Sequence, residues 1–298
     1  MDETLFLLIY KCIIKLKSEY QKGAKIIMSK VIAVASQKGG VSKSTTCRNV
    51  ATILAKRGYK VCAIDTDNQS SLTDCFGIEK PEELQTTLYH LMMNIMNEED
   101  LPPKESYIIH RDGVDIIPSS IELSAIEMNL VSTMSREYVL KAIIEEIRSD
   151  YDYIILDSAP SLGLMTLNVL AACNSVLIPA TPEYLSIKGL ELLLHTIMKI
   201  KRRINPGISI EGILLTMFDE RTNLSRSIIK MVDEAYGEHI KVFDIKIPKS
   251  VKVGEANLQS KSIVDYMPTN LSFNIYNRRK NKEFTSYEEI EIVSQDLH

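Results

Sequence analysis

A continuous apolar run, Val31–Ser36, passes directly into the loop Gln37-Lys38-Gly39-Gly40-Val41-Ser42-Lys43-Ser44-Thr45-Thr46, and a helical pattern follows over Thr45–Arg57. A buried strand that ends in a glycine- and lysine-rich loop and restarts as a helix restricts the possible folds severely. Glycines at 39 and 40 let the backbone turn tightly with its N–H groups inward, and the new helix presents its positive end to whatever the loop encloses. That arrangement suits a polyphosphate. Lys43 can bridge the β- and γ-phosphates, and the Ser44 hydroxyl can coordinate Mg²⁺. The candidate phosphate-binding residues are therefore Lys38, Gly39, Gly40, Val41, Ser42, Lys43, Ser44 and Thr45. The ordinary pattern GxxxxGK[ST] is not met, because Gln37 and Ser42 occupy its glycine positions. What is met is KGGxxK[ST], which adds Lys38 at the start of the loop.

Further apolar runs recur at Lys60–Asp65, Val114–Pro118, Tyr153–Asp157, Ser175–Pro179, Gly212–Met217 and Lys241–Ile247, with helical patterns between them. Continuous apolar strands alternating with helices predict an α/β fold, a mostly parallel central sheet with helices on both faces. Thr45–Arg57 carries Val50, Ile53 and Leu54 on one side, and Gly58 is its expected stop. Ser186–Arg203 is a long amphipathic candidate with Leu190, Leu193, Leu194, Ile197 and Met198 expected inward and a basic end, Lys199–Arg203. One α/β domain over residues 28–270 is the economical division. Residues 1–27 read as an upstream extension, either not native to the protein or an amphipathic docking helix. Residues 271–298 read as a solvated tail, basic over Asn277–Lys282, acidic over Glu283–Glu291, with one closing helix.

Composition narrows the function classes. A chain of 298 residues, 45% hydrophobic, can bury one large core. It contains no tract near the roughly 20 apolar residues of a membrane span. Leu5–Ile14 is interrupted by Lys11 and lacks the features of a secretory leader. The five cysteines are scattered without a CxxC pair, which suits a reducing, cytoplasmic setting and offers no zinc or iron–sulfur ligand set. A net charge of −4 confines any nucleic-acid contact to a local patch.

Acids stand where a metal–nucleotide would need them. The second strand ends in Asp65-Thr66-Asp67, and acids at i and i+2 at a strand's end point to one side. Near a bound Mg-nucleotide such carboxylates can hold metal waters or position the attacking water. Tyr153–Asp157 is an apolar strand ending in an acid, the Walker B pattern, with Asp157 expected to bind Mg²⁺ through water.

The motif KGGxxK[ST] resembles the deviant phosphate loop of the ParA/MinD class of P-loop ATPases. Asp65-Thr66-Asp67-Asn68-Gln69 is similar to the family's DxDPQ, with Asn68 in place of proline. Ser158–Asn168 resembles the DTPPSLGLLTLN segment of Soj-like proteins. Ser175–Gly189, Gly212–Leu224 and Val242–Ala256 add matches to the partition branch in the expected order, so the resemblance covers roughly residues 30–268. It implies a dimer closed around two ATP molecules, in which Lys38 reaches the partner's phosphates as an arginine finger does. It gives the water-positioning role to Asp67, Mg²⁺-supporting roles to Ser44, Asp65 and Asp157, and a switch-like loop to Pro160–Asn168. It also implies a non-specific DNA surface through Arg221, Lys249 and Lys252. At 252 lysine replaces arginine and loses the bidentate fork. Catalytic residues by this resemblance are Lys38, Lys43 and Asp67; the cofactors are ATP and Mg²⁺. A ParB-like centromere-binding partner would stimulate hydrolysis, and the protein would be cytoplasmic and nucleoid-associated.

The alternative is a MinD-like ATPase cycling on membranes. The end of the chain, Glu288–Val293, is too acidic for the basic amphipathic helix that branch requires. An iron–sulfur relative is disfavoured by cysteine placement, and an amidoligase on the same fold by the Arg221-Thr222-Asn223 and Ile247-Pro248-Lys249 segments.

Overall fold

In the computed structural model, residues 29–219 and 221–267 are described; the extension 1–27 and the tail 271–298 lie outside them. The described residues form a seven-stranded sheet in the order β3-β4-β2-β5-β1-β6-β7. The strands are β1 (Lys30–Val34), β2 (Val61–Thr66), β3 (Ile109–Arg111), β4 (Val114–Ile117), β5 (Tyr153–Ser158), β6 (Ser175–Ala180) and β7 (Ser209–Leu215). Every pairing is parallel except β3 with β4.

Because side chains alternate across a strand, β1 feeds two cores. Val31 and Ala33 join one apolar cluster, which is covered by α3 (Leu88–Met96), α4 (Ile126–Ser132), α5 (Val139–Ile147), α6 (Leu164–Ala172), α7 (Tyr184–Arg203) and α8 (Asn223–Tyr236). Ile32 and Val34 join the other, which is covered by α1 (Lys43–Lys56), α2 (Ser71–Cys75), α9 (Val251–Leu258) and α10 (Ile263–Tyr266). Val50, Ile53 and Leu54 are buried as the α1 pattern requires, and Gly58 ends the helix at φ 84°.

The structure departs from the expected pattern at three places. Lys241–Ile247 is not a strand. Phe243 N–H donates to Ile213 O and Ile247 N–H to Leu215 O, so two steps along β7 are matched by four along this segment. The residues between, Asp244–Lys246, make no backbone hydrogen bond to β7 among those of the described residues, so isolated bridges form instead of a ladder. The short strand β3 was not foreseen, although Asp112-Gly113, with φ 51° and 78°, is a strong hairpin-turn signal. On α7, Met198 is 48% exposed and Ile200 takes the inward position at 3%. The 3.6-residue period places 193, 197 and 200 on one stripe and rotates 198 off it.

Gly212 fixes the close approach of the 241–243 segment to β7. Its φ is 149°, and a Cβ there would stand 2.7 Å from Lys241 O and 2.8 Å from the Phe243 ring. Gly212→Ala should therefore destabilise the fold by about 2–4 kcal/mol through strain and overpacking. A lowered urea midpoint at constant m would show it, and an unchanged midpoint would contradict it.

Candidate functional site

Strands β2, β5 and β1 lie side by side, and their C-terminal ends converge where open parallel sheets present ligand sites. The β2–β5 register sets Asp65 directly against Asp157, while Val34 of β1 pairs with Asp157 from the other side. The chain leaving β1 wraps above them as the loop 37–42 and enters α1.

The loop's conformation explains its sequence. Gly40 has φ 71°, and Ser42 sits in the left-handed region at φ 63°, ψ 35° as the N-cap of α1. Ser42 occupies the position where ordinary phosphate loops have glycine, and its backbone is the one glycine would adopt freely. Holding a serine there costs about 1–2 kcal/mol, a strain typical of sites where the surroundings over-determine the backbone. No side chain caps the start of α1. Its first-turn N–H groups therefore face the loop interior, ready for an anion. Thr216 Oγ, just past β7, donates to Val41 O at 3.1 Å and ties the loop to the sheet.

Lys43 is 7% exposed, and its Nζ donates to Lys38 O at 3.5 Å. Burial lowers its pKa, and the charges of Asp157 and Asp67 oppose that fall. Asp157 is fully buried. The Ser44 hydroxyl approaches it, yet both carboxylate oxygens lack a hydrogen bond of normal geometry. Burial pushes its pKa well up and Asp65 pushes the same way, while Ser44 and Lys43 oppose the rise. A buried carboxylate with two orphaned oxygens is costly unless something cationic completes it.

Asp65 is occupied differently. Its Oδ2 accepts from Thr73 N at 2.8 Å and Thr73 Oγ1 at 2.7 Å, and its Oδ1 accepts from Asp67 N at 3.1 Å. Both oxygens thus shape the turn after β2. Asp67 is 7% exposed; its Oδ1 accepts from Gln69 N at 3.1 Å, and among the described residues no hydrogen bond uses Oδ2. The turn keeps its acids in place with asparagine at 68.

Lys38 stands on the rim, its side chain 27% exposed, in an ion pair with Glu183 at the start of α7. The segment after β5 packs against the loop, since a Cβ on Gly39 would lie 4.0 Å from the Pro160 Cβ. No group of three or more His, Cys, Asp or Glu side chains among the described residues could alone hold a metal ion. A divalent ion here would need oxygens from a bound phosphate and from water, which is how Mg²⁺ usually binds. The orphaned Asp157 carboxylate beside Ser44 fits that chemistry.

Arg221, Lys249 and Lys252 are brought to one side. Lys249 N–H donates to Phe218 O at 3.0 Å, which sets the 249–252 segment beside the loop carrying Arg221. Two of the three cations are already paired. Arg221 makes a fork to Asp219, Nε–Oδ1 2.9 Å and Nη2–Oδ2 2.8 Å, and Lys252 Nζ donates to Glu255 at 2.9 Å. Arg221 holds Asp219 down to about 2. The sequence alone assigns no role to the acids Asp219, Glu255 and Glu183. Their short-range pairing at i+2 and i+3 was readable for Asp219 and Glu255, but the 145-residue separation of Glu183 from Lys38 was not.

A family model described as an AAA domain matches residues 29–210. The sporulation initiation inhibitor protein Soj of Bacillus subtilis is 38% identical over 249 residues, 84% of this chain and 96% of that protein. The chain belongs to the ParA/Soj family of ATPases. The chromosome partitioning protein ParA of Caulobacter vibrioides is 36% identical over 239 residues, covering 80% of this chain and 87% of that one. Two solved structures share the architecture. One is a protein titled cobyrinic acid a,c-diamide synthase from Mycobacterium smegmatis, with bound ADP and magnesium (TM-score 0.69, 32% identity, 78% and 91% of the two chains). The other is a plasmid partition protein from Borrelia burgdorferi (TM-score 0.62, 26% identity, 80% and 96% of the two chains). Membership in this family accounts for the parallel sheet and for the phosphate loop at the end of β1.

The electrostatics of the site bear on stability. The folded pKa of Asp157 is raised, so its ionisation opposes folding as pH climbs above the usual carboxylate range. Asp157→Asn should stabilise the nucleotide-free protein at pH 8 by on the order of 1–2 kcal/mol. The gain should shrink toward pH 4.5, where the wild-type group is neutral. Equal destabilisation at both pH values in denaturant melts would contradict this.

Proposed function

We propose that this protein is a partition ATPase whose ATP-bound dimer holds DNA without sequence preference and releases it on hydrolysis. The observation that carries the reading is the orphaned Asp157 carboxylate, set between Lys43 and Asp67 beneath an uncapped helix start. Each feature is expensive alone and is relieved by a metal–polyphosphate.

In this reading the N–H groups of residues 39–45 and the Lys43 ammonium bind the β- and γ-phosphates. Ser44 and Asp157 would hold Mg²⁺, with Asp65 supporting through the turn it braces. When bound, the ion would supply charge neutralisation on the phosphoryl oxygens. Asp67, through the oxygen not used by Gln69, orients the attacking water. Lys38 leaves Glu183 and enters the partner subunit's site, where it stabilises charge developing on the transferred group. Hydrolysis then depends on dimerisation, and a ParB-like partner would act by stabilising that arrangement.

The DNA surface is Arg221, Lys249 and Lys252. With Arg221 and Lys252 paired to carboxylates, one protomer presents little net positive charge, so a dimer that doubles the patch is needed for useful affinity. That supports coupling of DNA binding to ATP, and a location on the nucleoid within the cytoplasm. No helix among the described residues is long and apolar enough to cross a membrane.

Filter or gel-shift binding to random-sequence DNA, with ATP, ADP or no nucleotide and across salt concentrations, tests the function. Binding confined to ATP and falling steeply with salt is expected; equal binding in all three states would overturn the reading. Lys43→Ala should lose ATP and DNA together, whereas Asp67→Ala should stay on DNA after ATP addition because turnover stops. Rapid phosphate release by Asp67→Ala would refute its role. Asp219→Ala frees the Arg221 fork and should tighten DNA binding about two- to fivefold at low salt. Weaker binding by that variant would show that Arg221 does not face DNA.

A further inference from the structure

The described surface contains an apolar cleft of about 390 Å³ between α6 and α7, away from the phosphate loop. Leu162, Leu167, Ile200 and Ile204 form its floor, and Lys199 and Arg203 stand on its rim. Ile200 is buried, Leu162, Leu167 and Ile204 are half-buried, and both rim cations are exposed. Lys201 and Arg202 extend the positive charge along the last turn of α7. Cations in that turn complement the helix dipole, which explains Lys201, Arg202 and Arg203 without a ligand. It does not explain why leucines of the neighbouring element lie open beside them. An apolar floor also suits a protein helix better than a phosphate backbone, which offers no apolar face to cover it.

The chain contains a segment of matching chemistry. From Glu283 to Val293 the sequence is EFTSYEEIEIV. Phe284, Tyr287 and Ile290 recur every third residue, so a helix would gather them on one face, with Glu288, Glu289 and Glu291 around it. The described chain ends at Met267 beside α10. α10 covers the opposite face of the sheet from α6 and α7, so the chain reaches the cleft by passing round a sheet edge, and the stretch from Met267 to Glu283 can extend to about 50 Å along that path.

We propose that the cleft between α6 and α7 is the docking site for this chain's own acidic segment Glu283–Val293. Its aromatic and aliphatic face covers the leucines, and its glutamates meet Lys199, Arg203 and their neighbours. Among the described residues Lys199 and Arg203 form no ion pair, so both are available for this. The wall at Leu162–Leu164 is continuous with the segment that follows Asp157, so an occupied cleft restrains that segment at its far end. The inference stands on the fold and the charge pattern and does not require the partition reading.

The test uses the full chain, mixed in equal amounts with ¹⁵N-labelled copies and treated with a carbodiimide, which joins an amine to a nearby carboxylate as an amide. Mass spectrometry should find Lys199 or Lys201 joined to Glu288, Glu289 or Glu291 within one isotopic copy. Arg203→Glu should reduce those links severalfold, and Arg203→Glu with Glu289→Lys should restore links through the remaining glutamates. Amide exchange of β1 serves as the check that each variant is folded. In wild type, the 283–293 amides should exchange roughly tenfold slower than in Arg203→Glu. Links that pair light with heavy copies would overturn the proposal in favour of a second copy of the chain. Absence of links, with 283–293 exchanging as an unstructured peptide, would overturn it outright and leave the cleft to an external acidic partner.

Discussion

The arrangement rests on a set of buried charges that the protein alone does not satisfy. Asp157 and Lys43 interact below a loop whose backbone is strained at Ser42; neither carboxylate oxygen has a hydrogen bond of normal geometry, and no side chain caps the helix start. The sheet can hold this because β5 is flanked on both sides by parallel strands, with apolar helices on each face. Packing supplies the rigidity, and the charge pattern supplies the preference for a metal–phosphate. Such a site is poor as a structural solution and well matched to a ligand.

The same loop is tied to the surface where DNA is expected. Thr216 holds Val41 from the end of β7, and the chain beyond Thr216 leads through Met217, at φ 54°, to Asp219 and Arg221. On the other side Asn257 of α9 reaches Thr45 Oγ1 at 3.5 Å, and Ile263 N–H donates to Asn49 Oδ1 at 2.9 Å. Arg48, wholly buried, joins α1 to Asp112 of the edge hairpin and stacks on Phe76 at 3.9 Å. The phosphate loop is thus tied to the end of β7, which leads to Arg221, and α1 is braced against α9, which carries Lys252.

Much of this was legible in the sequence because the signals were local. The phosphate loop, the acids at strand ends and the helix ended by Gly58 each depend on a few adjacent residues, and β1, β2, β5 and β6 follow their apolar runs closely. What was missed depends on distant partners or on small changes of period. Lys241–Ile247 has strand composition, but its register against β7 fails at Asp244–Lys246. Met198 differs from Ile200 only by rotation around α7. Thr73, which pins Asp65, and Glu183, which holds Lys38, become visible only when the chain is folded. The pairing of Arg221 with Asp219 tempers a surface that looks plainly basic when cations alone are counted.

In the proposed dimer, ATP joins two chains through Lys38. Sedimentation equilibrium of the Asp67→Ala protein with ATP and Mg²⁺ measures it most directly, because the nucleotide then persists. The account predicts the mass of two chains, returning to one when Lys38→Ala is added, with ATP still bound. A single-chain mass for Asp67→Ala with ATP bound, or a dimer indifferent to Lys38, would contradict it.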